Sequence, residues 1–474
     1  MIRVRFAPSP TGYLHLGNVR TALFNYLFAK SQAGRFILRV EDTDLERSKP
    51  EFRAALIEDL RWMGIQWDEG PEAGGAYGPY LQSERLAIYK GYVERLLAAG
   101  KAYACYVTEE EAEESKRLAR LEKRPPRFDN RGRHFTAQEI ESRKARGIKP
   151  TIRFKVEDPQ VVLHDLVRGE VHFNLDDMVG DFVIVRADGS PTFHLAVCVD
   201  DGLMGVTHVI RGEDHLSNTP KHILLLKAMG FTPPQYGHLA LIHGPGGEPL
   251  SKRLGDVSVR EFRRKGYLPF GLANYIALLG WSPGENREIL SWKELQELFS
   301  LERVNKGPSI YDPHKLDWLN GEHLRRLAPE EFAARAFDFL QQGGFLQTME
   351  PSLVMKVLPV FQDNIERFDQ LPDKIGFLSE DFGYENRGWL ESDEGREVCR
   401  AALEILPEME VAEDGLYDRF VNALKPKVRA KGKNFFMPIR MALTGREHGP
   451  EMKRLFPALG LNRAELRFKR AVSV

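Results

Sequence analysis

Apolar and polar positions alternate in two different ways along this chain, strand-and-helix in front and almost purely helical behind. Residues 2–7 read as a short strand. Residues 19–30 carry Val19, Leu23, Tyr26 and Leu27 at helical spacing. Residues 35–41 form a second apolar run ending in Glu41-Asp42-Thr43-Asp44, and residues 50–63 form a second helix before a Gly/Pro-rich stretch at 70–78. Strand, helix, strand, helix at this spacing predicts βαβ units in a parallel sheet, with ligands at the carboxyl ends of the strands. Ala7-Pro8-Ser9 and Glu41 should therefore share one rim.

The character changes between residues 83 and 181. A helix at 84–99 and a highly charged helix at 108–122 lead into Pro125-Pro126-Arg127, a basic stretch covering 116–155, and strands at 161–175 and 182–186. We read this as an α+β insertion in the parallel-sheet domain, whose halves are then 1–82 and 182–230. Asp188-Gly189 marks a turn and 207–211 a strand. Asn218-Thr219-Pro220 caps a helix at 222–229 that Gly230 closes, and 236–243 is a further strand in a region running from 231 to 327. From 328 to 474 the pattern is all-α, with helices at 329–342, 351–364, 394–406, 416–424 and 463–472 and exposed Lys425, Lys427, Arg429, Lys431 and Lys433.

Composition narrows the class. A chain of 474 residues has room for two to four domains, and 28% charged with 42% hydrophobic residues is ordinary for a globular protein. With a net charge of −1, nucleic acid could be met only by local basic patches. Cys105, Cys198 and Cys399 stand too far apart for a disulfide framework, which points to a reducing compartment. No apolar run approaches the ~18 residues of a membrane span, and the first residues read as a strand and not as a signal peptide. A cytoplasmic location is expected.

Candidate chemistry lies in two segments. In Ser9-Pro10-Thr11-Gly12-Tyr13-Leu14-His15-Leu16-Gly17-Asn18 a strand breaks at its prolines, turns at Gly12 and enters a helix bearing His15 and Asn18. Far downstream, the Gly/Pro loop Gly244-Pro245-Gly246-Gly247 leads to Ser251-Lys252-Arg253. Taken singly, His15 reads as a satisfied turn histidine and Ser-Lys-Arg as a solvated loop. Taken together and in this order, they resemble the paired signatures with which class I aminoacyl-tRNA synthetases grip ATP. Further segments carry the resemblance across essentially the whole chain, to the glutamyl-tRNA synthetases in particular: Arg5-Phe6-Ala7-Pro8-Ser9-Pro10-Thr11-Gly12, Glu41-Asp42-Thr43-Asp44, Tyr77-Gly78-Pro79-Tyr80-Leu81-Gln82-Ser83-Glu84-Arg85, Val199-Asp200-Asp201, His208-Val209-Ile210-Arg211-Gly212-Glu213-Asp214-His215 and Gly266-Tyr267-Leu268-Pro269.

That resemblance implies a Rossmann-type catalytic domain, an acceptor-arm-binding insertion, a stem-contact region carrying the Ser-Lys-Arg loop, and an all-α anticodon-binding region. It implies ligation of glutamate to tRNA-Glu through an adenylate, with ATP and Mg²⁺ and no enzyme nucleophile, by a monomer. His15, Asn18, Lys252 and Arg253 would be catalytic. Ser9, Gly17, His15, Ser251 and Lys252 would hold ATP, and Arg5, Ala7, Ser9, Glu41, Phe193 and Arg211 would hold glutamate. The chemistry of these residue types agrees. Arginine forks suit carboxylates, a glutamate suits an ammonium, a helix N-terminus suits phosphate, and a glycine admits close approach.

The chain departs from the family at several positions. Phe193 replaces a usual tyrosine, Asn18 the second signature histidine, and Pro249 a frequent loop lysine. Val107 and Gly132 stand where some relatives have zinc-binding cysteines, leaving Cys105 and His134, so zinc is not expected. Asn364 falls where the family's discriminating anticodon arginine lies, so tRNA-Gln is expected as a second acceptor. Three other readings are disfavoured. A glutaminyl enzyme would carry a β-barrel anticodon region, a shorter base-modifying relative would lack that region, and an inactive RNA-binding paralogue would have no use for a glutamate pocket.

Overall fold

Strand β1 (Arg3–Phe6) and strand β2 (Arg35–Leu38) run parallel, Arg3 opposite Arg35 and Phe6 opposite Leu38, joined through helix α1 (Leu16–Ser31). The computed structural model describes all residues except Leu45, Arg124, Pro249, 251–256, Glu380 and 411–414. Beyond β2 the pairing continues: Arg39 N–H donates to Phe6 O (3.0 Å) and Glu41 N–H to Pro8 O (2.9 Å). Pro8 and Pro10 have no N–H to extend the ladder, so the chain turns away there. Helix α1 is buried on most sides, through Leu16, Val19, Leu23, Phe24 and Leu27 among others. Helix α2 (Pro50–Trp62) follows, with proline in its first turn.

The middle of the chain holds helix α3 (Leu86–Ala98), strand β3 (Ala102–Cys105), helices α4 (Glu109–Leu121) and α5 (Ala137–Ala145), and strands β4 (Thr151–Phe154), β5 (Gln160–Asp165) and β6 (Gly169–Asn174). Helix α6 (Leu175–Met178) and strand β7 (Phe182–Val185) complete it. Capping boxes start α4 and α5, Thr108 with Glu111 and Thr136 with Glu139. Strands β3, β4 and β7 make an antiparallel sheet, and β5 and β6 an antiparallel hairpin. Parallel pairing resumes after helix α7 (Phe193–Leu203) with β8 (His208–Gly212). Helix α8 (Thr219–Ala228) and β9 (Gln235–Leu239) follow, β9 lying parallel to β8. Just before β8, Thr207 N–H donates to Arg3 O on β1 (2.9 Å).

Several elements differ from the sequence expectation, each for a local reason. The run at 161–175 is two strands, because Asp165 accepts the N–H groups of Val167 and Arg168 and closes a turn (2.9 and 2.8 Å). The run at 236–243 breaks after Leu239, and β10 (Ile242–His243) pairs with β11 (Ser309–Ile310). The expected helix at 351–364 ends at Val357 and continues to Asn364 as a 3₁₀ helix, since Pro359 cannot donate to the α-helical pattern. Asn218 makes no side-chain cap. A 3₁₀ turn (Glu213–Asn218) runs straight into α8 and leaves Asn218 in a helical conformation. Helix α7 escaped the pattern because it is buried on nearly every side and yet contains Asp200 and Asp201.

By internal packing the chain forms two compact units, Met1–Glu261 with Leu272–Asp312, and Phe262–Gly271 with Pro313–Val474. A core of the first unit gathers Phe154, Leu163, Ile184, Val197, Val199, Val209 and Tyr236. The second is helical, its core built on Phe332, Phe361, Phe420, Phe435, Ile439, Phe456 and Phe468. Even its buried Arg467 is satisfied locally, donating to the carbonyls of Leu443 and Phe377.

Candidate active site

The rim shared by β1 and β2 carries a buried ionic cluster. Arg5 donates from Nε to Asp201 Oδ1 (3.2 Å), and Arg39 donates to the same oxygen (2.7 Å) and to Glu41 Oε1 (3.1 Å). Asp200 takes Arg85 Nε (2.6 Å), Tyr89 OH (2.8 Å) and Gln82 Nε2 (2.9 Å), with Arg39 Nε at 3.7 Å. Burial opposes ionisation of Asp201, but Arg5 and Arg39 outweigh it and hold its carboxyl below the usual aspartate value. Glu41 shifts the other way: burial lifts its carboxyl above the ordinary glutamate value, against the pull of Arg39 and Arg5. The cluster thus carries its own counter-charges, as buried ions require.

Arg211, on β8, is treated differently. Its side chain is buried, and among the described residues no carboxylate contacts it. Nη2 donates to Thr219 Oγ1 (2.6 Å) and to His215 O (3.3 Å), Nη1 lies 3.3 Å from His222 Nδ1, and Nε donates to His238 Nε2 (3.3 Å). The guanidinium also packs over the Tyr236 ring, 5.4 Å from its centroid. Burial pushes its pKa below the usual arginine value, and the nearby positive charge of Arg5 adds to the effect. Burial likewise lowers the neighbouring imidazoles, His194 to about 3 and His222 well below the ordinary histidine value, so Arg211 faces neutral acceptors. A buried cation whose acceptors are all neutral retains its affinity for an anion.

The other predicted residues sort as follows. Phe193 opens α7 with its ring 5.6 Å from those of His215 and His222, in the Arg211 neighbourhood. Ala7 is half-buried and Ser9 exposed at the rim just past β1. His15 is exposed at the N-cap of α1, and Gly17 and Asn18 lie in that helix's first turn, which holds no acidic side chain. A Cβ on Gly17 would stand 3.3 Å from His15 Cε1, so glycine keeps the ring unobstructed. Ser251, Lys252 and Arg253 lie outside the described residues. Val257, the first described residue after them, accepts from Leu16 N–H (3.2 Å), and Val259 N–H donates to Leu14 O (2.9 Å). The backbone leaving the downstream signature is thereby bonded to the turn of the first.

In the helical unit, Asn364 is exposed and lines a polar cleft of about 590 Å³ with Arg325, Arg367 and Lys374. Both guanidiniums have acidic partners there: Arg325 with Glu322 (2.6 Å), and Arg367 with Asp317 (2.7 Å) and Asp369 (3.1 Å). Part of the basic stretch at 116–155 is also engaged locally, Arg117 by Glu114, Arg131 by Asp129, Arg133 by Asp181 and Arg143 by Glu111. Cys105 is buried in a small apolar cluster with Val107 and Phe128, and a Cβ on Gly132 would fall 2.5 Å from its sulfur. That set of neighbours does not fit zinc, which takes about four sulfur, nitrogen or oxygen donors.

Sequence reasoning left unassigned the residues that organise the site: Arg39, Asp200, Asp201, Thr219, His222 and His238. One signal was available, namely charged residues inside otherwise apolar runs, as in Phe36-Ile37-Leu38-Arg39 and Val197-Cys198-Val199-Asp200-Asp201.

Known proteins resemble this chain over essentially its whole length. The family described as tRNA synthetases class I (E and Q), catalytic domain, matches residues 1–318, and an anticodon binding domain matches residues 331–472. The glutamate–tRNA ligase of Sulfurihydrogenibium sp. (strain YO3AOP1) is 45% identical, with 99% of each chain covered. That of Carboxydothermus hydrogenoformans is 43% identical, covering 98% of this chain and 99% of the relative. The crystal structure of a glutamate tRNA ligase from Elizabethkingia meningosepticum, in complex with its amino acid, superposes with a TM-score of 0.87 at 31% identity, over 100% of this chain and 99% of that one. With one family spanning the α/β part and full-length relatives at this identity, the chain belongs to the glutamate–tRNA ligases of the class I tRNA synthetases.

Proposed function

We propose that this protein ligates L-glutamate to the 3′ end of tRNA-Glu in an ATP-dependent reaction that passes through a glutamyl-adenylate and releases AMP and pyrophosphate. The observation that carries the reading is Arg211, a buried guanidinium that among the described residues is held only by neutral acceptors, beside the self-compensated Arg5–Asp201–Arg39–Glu41 cluster. Arg211 and Arg5 receive the substrate carboxylates, Glu41 the ammonium, and Phe193, Ala7 and Ser9 bound the methylenes. The ring at 193 supplies a wall without the phenol hydroxyl, so one substrate hydrogen bond is missing.

ATP lies along the N-terminus of α1, whose first-turn N–H groups and partial positive charge suit phosphate. His15, Asn18 and Ser9 donate there, Gly17 lets the nucleotide approach, and Ser251, Lys252 and Arg253 are assigned to the phosphates from sequence. Among the described residues no group of three or more His, Cys, Asp or Glu side chains could hold a metal. Mg²⁺, entering with the nucleotide, would neutralise charge on the leaving pyrophosphate. A glutamate carboxylate oxygen bonds to the α-phosphorus as the bond to pyrophosphate breaks. The 2′-hydroxyl of the terminal adenosine of tRNA then attacks the acyl carbon, and AMP leaves. The protein's part is positioning and preorganised charge. We further propose that it works as a cytoplasmic monomer. No described helix is long and apolar enough to cross a membrane. ATP–pyrophosphate exchange, with and without tRNA-Glu, tests the reading; glutamate-independent exchange, or none under either condition, overturns it.

Two further results are expected. Because burial lifts the Glu41 carboxyl above 4.5, its ordinary value, acidification protonates it sooner than an exposed glutamate. The carboxylate that pairs the substrate ammonium is then lost as pH falls through the raised value. The glutamate KM should climb over that range in the parent enzyme, and Glu41→Gln should give a high KM at every pH. A parental KM flat down to 4.5 would contradict the assignment.

Asn364 is the proposed contact for the third anticodon base. Glutamate and glutamine anticodons differ there, C against G, and an amide can serve either base edge. The neighbouring Arg325 and Arg367 are already engaged by carboxylates, which supports a relaxed enzyme that also charges tRNA-Gln. Side by side, kcat/KM for tRNA-Gln should lie within about 10³-fold of that for tRNA-Glu. Asn364→Arg should lower the tRNA-Gln value roughly 5- to 200-fold, the worth of one base contact. A parental gap beyond 10³-fold would show a discriminating enzyme.

A further inference from the structure

The contact on Arg211 Nε comes from His238, its direct register partner on the adjacent parallel strand β9. His238 is completely buried and makes contacts at both ring nitrogens. Nδ1 lies 2.6 Å from Asp165 Oδ2, and Nε2 lies 3.0 Å from Thr219 Oγ1 and 3.3 Å from Arg211 Nε. Asp165 reaches in from the end of β5. Its other oxygen accepts the N–H groups of Val167, Arg168 and His238 (2.9, 2.8 and 3.2 Å), and its side chain has no solvent exposure.

These partners decide the tautomer. A carboxylate beside Nδ1 can only accept, so the imidazole proton sits on Nδ1 and Nε2 presents a lone pair to Arg211 and Thr219. The Thr219 hydroxyl in turn accepts from Arg211 Nη2 at 2.6 Å. Two edges of the guanidinium are thus set by one imidazole and the hydroxyl beside it. A buried histidine that merely fills the core needs one partner per nitrogen. This one converges with Thr219 on a buried arginine that, among the described residues, no carboxylate contacts.

We propose that His238 is a positioning residue for Arg211, and that Asp165, by holding the His238 tautomer, ties the β5–β6 hairpin to the orientation of the guanidinium. The inference rests on the reading of Arg211 as a substrate-carboxylate ligand. It adds that the fork is aimed by an Asp–His pair which does not itself touch substrate. A rigid, correctly aimed fork matters because a guanidinium recognises a carboxylate through two parallel bonds in one plane.

The test is a mutant cycle in ATP–pyrophosphate exchange on the full-length protein with tRNA present, recording KM for glutamate and for ATP separately. His238→Leu, which keeps bulk and removes the acceptor, should raise the glutamate KM about tenfold, as expected when a hydrogen bond to a charged group is lost. The ATP KM should move by less than about twofold, because binding elsewhere is untouched. His238→Gln, whose amide oxygen can stand near the position of Nε2, should recover most of the loss. Asp165→Asn can donate to Nδ1 and turn Nε2 into a donor facing two donors, so it should behave like His238→Leu.

In an Arg211→Ala background, neither His238→Leu nor Asp165→Asn should raise the glutamate KM further, since a positioning residue acts only through the residue it positions. Full additivity in that background, or equal rises in both KM values, overturns the proposal. So does a His238→Gln variant no better than His238→Leu. Should His238→Leu fail to fold, Asp165→Asn and His238→Gln carry the same comparison. If Arg211→Ala alone leaves the glutamate KM unchanged, the carboxylate reading of Arg211 has failed instead.

Discussion

Arg211→Ala is expected to lower kcat/KM for glutamate by about 30-fold to several-thousand-fold, with the loss appearing mainly in the glutamate KM. The magnitude follows from removing one partner of a buried, hydrogen-bonded charge pair, which costs about 2–5 kcal/mol. Much of that cost is the penalty for a substrate carboxylate left in a dry site with no cation. The melting temperature should change little by comparison, because Thr219, His222 and His238 are neutral and lose only a donor when the guanidinium goes. Arg211→Lys should rescue poorly. The surrounding acceptors meet three different nitrogens of a planar group, at 2.6–3.3 Å, whereas an ammonium is a single point that cannot present a fork to the ligand while keeping them. A lysine variant with parental glutamate KM would refute the role.

Asp200→Ala should produce the largest loss of stability of any single substitution at the site, about 3–5 kcal/mol, the cost of breaking a buried ion pair from one side. Asp200 has no solvent exposure, and its two oxygens take Arg85, Tyr89 and Gln82 at 2.6–2.9 Å. Removing it leaves Arg85 without its carboxylate and Arg39 with one fewer. In the parent, burial and the Asp200 charge together hold the Tyr89 phenol protonated far above its ordinary range. Asp200→Asn, which keeps the shape and one acceptor, should fall between the parent and the alanine variant. Urea denaturation of the full-length chain reads the effect. A midpoint for Asp200→Ala equal to the parental one would mean that the cluster does not stabilise the first unit.

The structure and the sequence reading agree closely where the physics is local. Prolines at 8 and 10 end a strand wherever the rest of the chain goes, and apolar spacing at 19–30 marks a helix, which the structure extends to Leu16–Ser31. The helical pattern after residue 327 argued against a β-barrel anticodon region, and the anticodon binding domain matched at 331–472 is helical in this chain. Boundaries slipped where a single side chain or ring overrode the pattern, as Asp165 did in turning 161–175 into a hairpin and Pro359 in ending an α-helix early.

Through its resemblance to the glutamyl-tRNA synthetases, the sequence also named Arg5, Glu41 and Arg211 as candidate ligand groups. A charged residue at the end of an apolar strand must find a partner or supply one, and that is visible in one dimension. Which partner each meets was decided only in three dimensions. Arg5 meets Asp201, 196 residues away, and Glu41 is shared with Arg39, while Arg211 meets His238 and, through it, Asp165, 73 residues before that histidine. Periodicity reports which face of an element is buried, and it carries no information about which distant charge the fold brings to that face. The difference between an arginine paired with a carboxylate and one held by neutral acceptors was therefore set by tertiary packing, because Coulomb and hydrogen-bond partners are chosen by distance in space and not by spacing along the chain.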